Sequence, residues 1–431
     1  MIGTAKAIVI DLLSELPNPN YTELGNAEKI AVSELAKTLP FEKASVLSAL
    51  VACDTIGYGP ITLLLEDSSN LEEIEINSPN TPIYVYHSRY GRCQTNLKFN
   101  SEESFRLTIN RFVLESEREL SDSSPIIDVQ VDRARVHAQL RPYALNGACA
   151  TIRLSGRKEK NISSLISNQT TTFETLAYLW IALENRANIV ISGPPASGKT
   201  TLLTSLLSMV PRYKRVITIE EDVNEFQFYS NVQNIVSLYG SKQKNQVNTK
   251  EQAINALRMR PDLLVIGEIR GEEARELFSG SNFGVPFLTT MHANEGGISV
   301  IKRLIVRPMS VETQSISSLD LAIQMGQGGI DHRTISEISE YSWLSRAEIL
   351  GDGVQVGDDM VKISPIVQNS TLNPKPLRDS KILTLFARRN QIKIEQAFSE
   401  LKKRSNFLAE TCKNSRSTLE IAERLNSYGV L

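Results

Sequence analysis

Between residues 187 and 325, short apolar runs rich in β-branched residues recur between stretches of helical spacing. Ala187-Asn188-Ile189-Val190-Ile191, Val216-Ile217-Thr218-Ile219, Leu263-Leu264-Val265-Ile266 and Phe287-Leu288-Thr289-Thr290-Met291 each read as a strand. Thr201-Leu202-Leu203-Thr204-Ser205-Leu206-Leu207 reads as a helix after the first strand, and residues 172–188 as a helix leading into it. Strands and helices alternating in this way predict a parallel α/β core over 172–330.

Upstream the period changes. Glu73-Ile74-Glu75-Ile76 alternates, and Ile83-Tyr84-Val85-Tyr86 is rich in strand formers. Tyr90-Gly91-Arg92 turns the chain into Thr95-Asn96-Leu97-Lys98-Phe99, which alternates again. Asn100 with Glu103 predicts a capping box for a helix carrying Phe105, Ile109 and Phe112, and Val131 to Arg153 resumes as strands. With no βαβ rhythm, residues 51–155 are expected to form a small α+β domain. Ala31, Leu35, Leu39, Val46, Leu47 and Leu50 lie at helical spacing, so residues 1–50 are expected to be a helical lead-in. The polar stretch 156–171 reads as an interdomain linker. Ile394, Phe398, Leu401 and Leu408 repeat helically through 391–410, a second helix is expected over 417–426, and 331–431 reads as a mainly helical C-terminal domain.

Composition narrows the class. A chain of 431 residues, 41% hydrophobic and 22% charged, suits two or three folded domains. A formal net charge of -2 gives no overall electrostatic footprint for nucleic acid, so no direct nucleic-acid contact is expected. Cys53, Cys93, Cys149 and Cys412 lie far apart with no C-x-x-C, which excludes a tetra-cysteine zinc site and fits reduced thiols in a cytosolic protein. No run approaches the ~18 apolar residues of a membrane span. Met1 to Pro17 lacks a signal peptide's apolar core, so membrane contact is expected to be peripheral.

The chemistry concentrates where the predicted strands end. Residues 193–201 read GPPASGKTT, and Gly193, Gly198, Lys199 and Thr200 fit the phosphate-loop pattern G-x-x-x-x-G-K-[ST] between a strand and a helix. Pro194 and Pro195 have no N–H to donate, so the phosphate cradle must come from Ala196, Ser197, Gly198, Lys199 and Thr200 at the helix start, which continues into Thr201. Lys199 would reach the β/γ oxygens, and the Thr200 hydroxyl would sit on Mg²⁺. Two further predicted strands end in acids, Glu220-Glu221-Asp222 and Glu268. Ligands bind outside the carboxyl ends of strands in an open α/β sheet. Phosphoryl transfer needs carboxylates there to hold the Mg²⁺ shell and to orient or deprotonate water. A lone histidine is more often structural than a ligand, but His292 ends another strand, where it could sense a γ-phosphate. The α+β region carries Arg133, Arg135, Arg141 and Arg153; Arg133 and Arg135 at period 2 would make a positive comb.

These stretches together resemble the secretion ATPase superfamily, the motors of type II and type IV secretion, pili and the archaellum. ALRMRPDLLVIGEIRGEEA (256–274) resembles its Mg²⁺-site box, TTMHAN (289–294) its histidine box and ITIEED (217–222) its acidic box. GYGPITLLLED (57–67), PIYVYHSRYGRCQTNLKF (82–99) and DRARVHAQLRP (132–142) look like its N-terminal domain, and the wording is most like the archaeal branch. The resemblance covers roughly residues 50–345 and implies an α/β, RecA-like P-loop NTPase core with an N-terminal α+β (PAS-like) domain and a helical C-terminal tail. It implies ATP and Mg²⁺ as cofactors, with Thr200 and Glu268 at the metal, Glu220 and Glu268 as catalytic carboxylates, and His292 as γ-phosphate sensor. Arg135, in the family's R-V-x-A position, together with Arg141 and Arg153, would reach the nucleotide from the N-terminal domain. A homo-oligomeric ring, usually a hexamer, is implied, cytoplasmic and peripheral at the inner face of the cell membrane against a polytopic platform protein. The chain departs from the pattern where Glu221 replaces the usual Asp, where Phe283-Gly284-Val285 replaces Thr-Gly-His, and in lacking the zinc-binding cysteines of bacterial pilus extension ATPases. Two other readings stay open: a conjugation-type DNA-transfer ATPase, and a nucleotide-gated switch with little turnover.

Overall fold

A computed structural model describes residues 28–428 apart from 30–31, 34, 38, 56, 68–69, 117, 132–133, 155–160, 196, 222–234, 241–246, 294–295, 328–332, 345–353, 357–358 and 416. The chain forms two compact units, residues 1–158 and 159–431. Most of the expected lead-in lies outside the described residues, as do Arg133, Ala196, Asp222, Asn294 and the first part of the expected linker. Within the lead-in's C-terminal end, Phe41–Thr55 is a helix, α1.

The first unit continues with α2 (Ile61–Glu66), β1 (Leu71–Ile76), β2 (Tyr84–His87), β3 (Gly91–Gln94), α3 (Glu102–Phe112), β4 (Ile126–Val131), β5 (Ala134–Gln139) and β6 (Cys149–Leu154). All six strands form one antiparallel sheet in the order β3-β2-β1-β6-β5-β4. Alternation sorts the two faces. Ile74, Val85, Val136 and Ile152 point into a core with Phe105, Ile109 and Phe112 of α3. Burying each such side chain contributes about 1.5–3 kcal/mol. On the other face Glu73, Arg153 and Arg135 stand opposite one another across β1, β6 and β5.

The structure differs from two local expectations. The cap of α3 is Ser101, whose hydroxyl accepts from Ser104 N at 3.0 Å, rather than Asn100 with Glu103. Residues 95–99 are not a strand: the ladder ends at Gln94, and Thr95 and Leu97 bond instead to the backbone of Ile83.

The second unit begins with α4 (Ile162–Ser167), so the expected linker holds a helix; Asn161 and Ser164 cap it reciprocally and Ile162 and Leu165 are buried. Its core sheet contains β7 (Ile189–Ser192), β8 (Val216–Glu221), β9 (Ile235–Gly240), β10 (Leu263–Ile266), β11 (Phe287–Met291) and β12 (Leu321–Gln327), parallel in the order β12-β7-β11-β10-β8-β9. One strand, β11, separates the phosphate-loop strand β7 from the acidic strand β10, the RecA-like arrangement. Connecting helices are α5 (Phe173–Glu184), α6 (Lys199–Leu207), α7 (Thr249–Arg258), α8 (Glu273–Asn282), α9 (Gly297–Ile305) and α10 (Thr313–Ile316). β7, β10 and β11 are buried along their whole length, as strands covered on both faces must be.

The stretch after residue 330 differs from the mainly helical domain expected. β13 (Arg333–Leu344), β14 (Val354–Val356), β15 (Asp359–Gln368) and β16 (Thr371–Leu372) extend the core sheet antiparallel beyond β12. The reason it was hidden is chemical. β13 reads RTISEISEYSWL, with a register shift after Ile338, so serines and glutamates occupy positions that the alternation would give to apolar residues. Helices follow only from residue 374: α11 (Pro374–Arg378), α12 (Lys381–Arg389), α13 (Ile394–Asn414) and α14 (Thr418–Ser427). They share one core with α5, in which every residue from Thr175 to Ala182 is buried. A helix apolar all round requires that second cover.

Candidate functional site

Register in the parallel sheet gathers the sites read from the sequence. Ser192 of β7 pairs with Met291 of β11, Ile266 of β10 pairs with Thr289 of β11, and Ile266 pairs with Ile219 of β8. Gly193, His292, Glu268 and Glu220 therefore all emerge at the carboxyl edge of neighbouring strands. Further bonds fix those exits: Gly267 N donates to Ile219 O at 2.9 Å, Ile269 N to Thr290 O at 2.9 Å, and the Thr290 hydroxyl to Gly267 O at 2.7 Å.

The loop between β7 and α6 depends on its glycines. Gly193 has φ 150° and a Cβ there would lie 2.6 Å from Met325 O and 2.9 Å from Ser197 Oγ. Gly198 is the left-handed residue before α6, with φ 90°. Helix α6 then starts at Lys199, so the amides of its first turn have no intrahelical partner. Such a helix start is a ready anion site. Ser197 is fully buried, and its Oγ has no hydrogen-bond partner among the described residues. Thr200 and Thr201 lie partly exposed in the first turn.

Side chains bridge the loop to the acidic strand. The buried Lys199 ammonium donates to Gly193 O at 3.0 Å and Pro194 O at 2.8 Å, and lies 3.4 Å from His292 Nδ1. His292 Nδ1 is also 3.2 Å from Gly193 O, so its tautomer decides whether it accepts from the lysine or donates to the carbonyl. His292 Nε2 is 3.1 Å from Glu268 Oε1, and Glu268 Oε2 accepts from Arg270 Nη2 at 2.6 Å. Glu268 Oε1 is itself buried, and its approach to His292 Nε2 is a close polar contact without hydrogen-bond geometry. Lys199, His292, Glu268 and Arg270 thus form one continuous chain of polar contacts. Glu220 is buried at the end of β8, and Glu221 next to it is half-buried.

Arginines of the first unit are placed within that unit. Arg135 makes a two-pronged ion pair with Asp128, Nε to Oδ1 at 2.9 Å and Nη2 to Oδ2 at 2.8 Å. Arg141 is exposed, 3.9 Å from Glu102, and Arg153 is exposed on the polar sheet face beside Glu73. Burial and Glu75 push the Glu73 carboxyl up, while Arg153 pulls it down.

Several contacts had no sequence signal as site residues. Arg270 lies within residues 256–274, but nothing in spacing marks it as the partner of Glu268. Gln324 is buried at the back of the loop, its Oε1 accepting from Ser192 Oγ at 2.7 Å and its Nε2 unpartnered among the described residues. Arg333 reaches the loop from β13, a strand that sequence reading missed.

Comparison with known proteins adds the family. The profile described as "Type II/IV secretion system protein" matches residues 85–327. A protein of Methanocaldococcus jannaschii is 34% identical over 228 residues, 51% of this chain and 31% of the relative, and a second from that organism is 29% identical over 289 residues, 67% of this chain and 52% of the relative. The chain therefore spans about half or less of the length of these relatives. The conjugal transfer protein TrbB of Rhizobium radiobacter is 31% identical over 193 residues, 43% of this chain and 57% of TrbB. Among solved structures, the pilus retraction motor PilT with bound ADP aligns at TM-score 0.47 and 16% identity, covering 85% of this chain and 96% of PilT. DotB of Legionella pneumophila aligns at TM-score 0.46 and 19% identity, over 80% of this chain and 86% of DotB. With the profile spanning more than half of its length, from the antiparallel sheet of the first unit through β12 of the second, the chain belongs to the type II/IV secretion system protein family.

Proposed function

We propose that the protein is an ATPase that works as a homo-oligomeric ring, a hexamer, and drives assembly or secretion of pilin-like subunits through a polytopic membrane platform. The observation that carries the reading is the contact chain from Lys199 through His292 to Glu268 at the carboxyl edge of the sheet. Phosphate ligation and carboxylate chemistry then share one histidine, which can respond to what Lys199 holds.

The residues fit a nucleoside triphosphate with Mg²⁺. Two glycines keep the loop backbone open to an anion, and Lys199 supplies a cation. The Thr200 hydroxyl and Glu268 Oε1, which makes no hydrogen bond among the described residues, are hard oxygen donors suited to Mg²⁺. When bound, the metal would neutralise charge developing on the β and γ oxygens. Lys199 would exchange its carbonyl contacts for those oxygens, Glu220 or Glu268 would orient a water and take its proton, and His292 would pass the presence of a γ-phosphate to Glu268. Arg135, Arg141 and Arg153 would supply further positive charge from the first unit. The protein would be cytoplasmic and peripheral on the membrane; no described helix is long and apolar enough to cross one.

Phosphate release measured for wild type, Lys199→Ala and Glu268→Gln tests the reading. Both variants are expected to fall to background, while Glu268→Gln still binds ATP because its change spares the loop. Undiminished turnover in Lys199→Ala would sink the proposal, and a wild type that binds ATP without releasing phosphate would favour a nucleotide-gated switch. The likeness to TrbB favours a second reading, a conjugation-type DNA-transfer ATPase. Binding to DNA that weakens steeply with salt would support it.

A further inference from the structure

The phosphate loop carries Lys199 on one flank, and an arginine on the other is not used by the reading above. Arg333 opens β13 and pairs with Gln327 at the end of β12. β12 itself lies beside β7 in parallel, with Gln324 level with Ser192, so Arg333 stands just beyond the carboxyl edge next to the loop. Its stem runs over Gly198: a Cβ built on that glycine would lie 3.4 Å from Arg333 Cδ and 3.8 Å from Arg333 Cβ. The guanidinium is attached directly beyond Cδ, which brings a permanent positive charge to the last loop residue before α6.

We propose that Arg333 binds the nucleotide at the phosphates nearest the ribose, the part that ATP and ADP share. The sheet order supplies the argument. Glu268 and His292 come from β10 and β11, on one side of β7, and the acids mark the side where the γ-phosphate and metal must lie. Arg333 comes from β13, which lies beyond β12 on the opposite side. A phosphate chain laid across the loop with its γ end toward Glu268 presents its other end to Arg333. Arginine suits that place because its planar fork can meet phosphate oxygens in pairs. The alternative is packing alone, with the stem filling space above Gly198.

This inference rests on the nucleotide-site reading, and binding of a fluorescent ADP and a fluorescent non-hydrolysable ATP analogue separates the two. Arg333→Met keeps an unbranched apolar stem over Gly198 and removes the charge, so thermal unfolding should match wild type. It should weaken both nucleotides together by about tenfold, the loss expected for one charge-assisted contact. Arg333→Lys should recover part of that loss. If wild type binds and Lys199→Ala does not, while Arg333→Met binds both nucleotides like wild type, the arginine only packs and this inference alone is overturned. Loss of the triphosphate with ADP binding unchanged also overturns it, because Arg333 would then act at the γ end. Failure of wild type to bind either nucleotide overturns the nucleotide reading and this inference with it.

Discussion

Glu340 is 1% exposed and carries a carboxylate, a costly combination unless donors surround it. They do: the hydroxyls of Tyr178 and Ser380 donate at 2.5 Å each, and the amides of Lys381 and Ile382 at 2.8 and 3.2 Å. Two of those amides open α12, so the acid of β13 serves as a helix cap from another element. Burial and Glu340 together push the Tyr178 hydroxyl far up, keeping it a donor. Glu340→Ala should cost about 3 kcal/mol or more, since four donors lose one acceptor; urea unfolding checks it. A second buried polar knot lies on α13. Arg404 is 2.6 Å from Glu184 and 3.1 Å from Glu400, with its guanidinium over the ring of Trp180 at 4.8 Å. Tyr428 donates to Glu400 at 2.8 Å, and burial, then the Glu400 contact, pushes its hydroxyl up to about 12 from the ordinary 10.0. A raised phenol favours the neutral form on folding, so its stabilisation is complete below pH 10 and is lost as pH rises through about 12. Unfolding midpoints followed from pH 9 to 12 should drop more steeply for wild type than for Tyr428→Phe.

Among elements, those whose own periodicity matched their cover were legible. β7, β10 and β11 are short apolar runs because both faces are covered, and the GPPASGKTT loop announces itself by the left-handed Gly198 and the close approach at Gly193. Glu220, Glu268 and His292 lie at or just past strand ends and Lys199 opens α6, the places that the strand and loop pattern predicts for them. Elements stabilised from elsewhere were not legible. β13 hides behind serines and buried acids whose partners lie some forty residues on, as with Glu340 and Ser380. α4 reads as linker in the sequence because six residues with two buried apolar positions give no visible period. Arg333 belongs to the same class, since only the antiparallel pairing of β13 with β12 brings it to the loop. β13 is the element that joins these parts: it carries Arg333 by the loop at one end, and further along it Glu340 caps α12 and Tyr341 donates to Gly297 O of α9 at 2.6 Å.

At the scale of the molecule, the first unit offers an antiparallel sheet with a polar face bearing Arg135 and Arg153, and the second offers the phosphate loop. The proposed ring predicts that arginines of one subunit serve the loop of its neighbour. Neither Lys199→Ala nor Arg135→Ala should hydrolyse ATP alone, yet co-assembled rings should regain a fraction of wild-type phosphate release, because some interfaces pair an intact loop with an intact arginine. Mixed rings with no recovery would place the arginine and loop of one active site in the same subunit.

Lys199 holds two carbonyls of its own loop, Gly193 O and Pro194 O, and touches His292. Those carbonyls act as a built-in competitor for its charge. Under the proposed function a phosphate would have to displace two dipoles already in place, so the lysine would discriminate by exchange rather than by bare attraction. A chain of phosphates can offer the ammonium several charged oxygens at once and win that exchange, while neutral or singly charged metabolites gain little. His292 already lies 3.1 Å from Glu268, so under the proposed function the lysine's change of partner would act on a histidine–carboxylate contact that is in place before any ligand arrives.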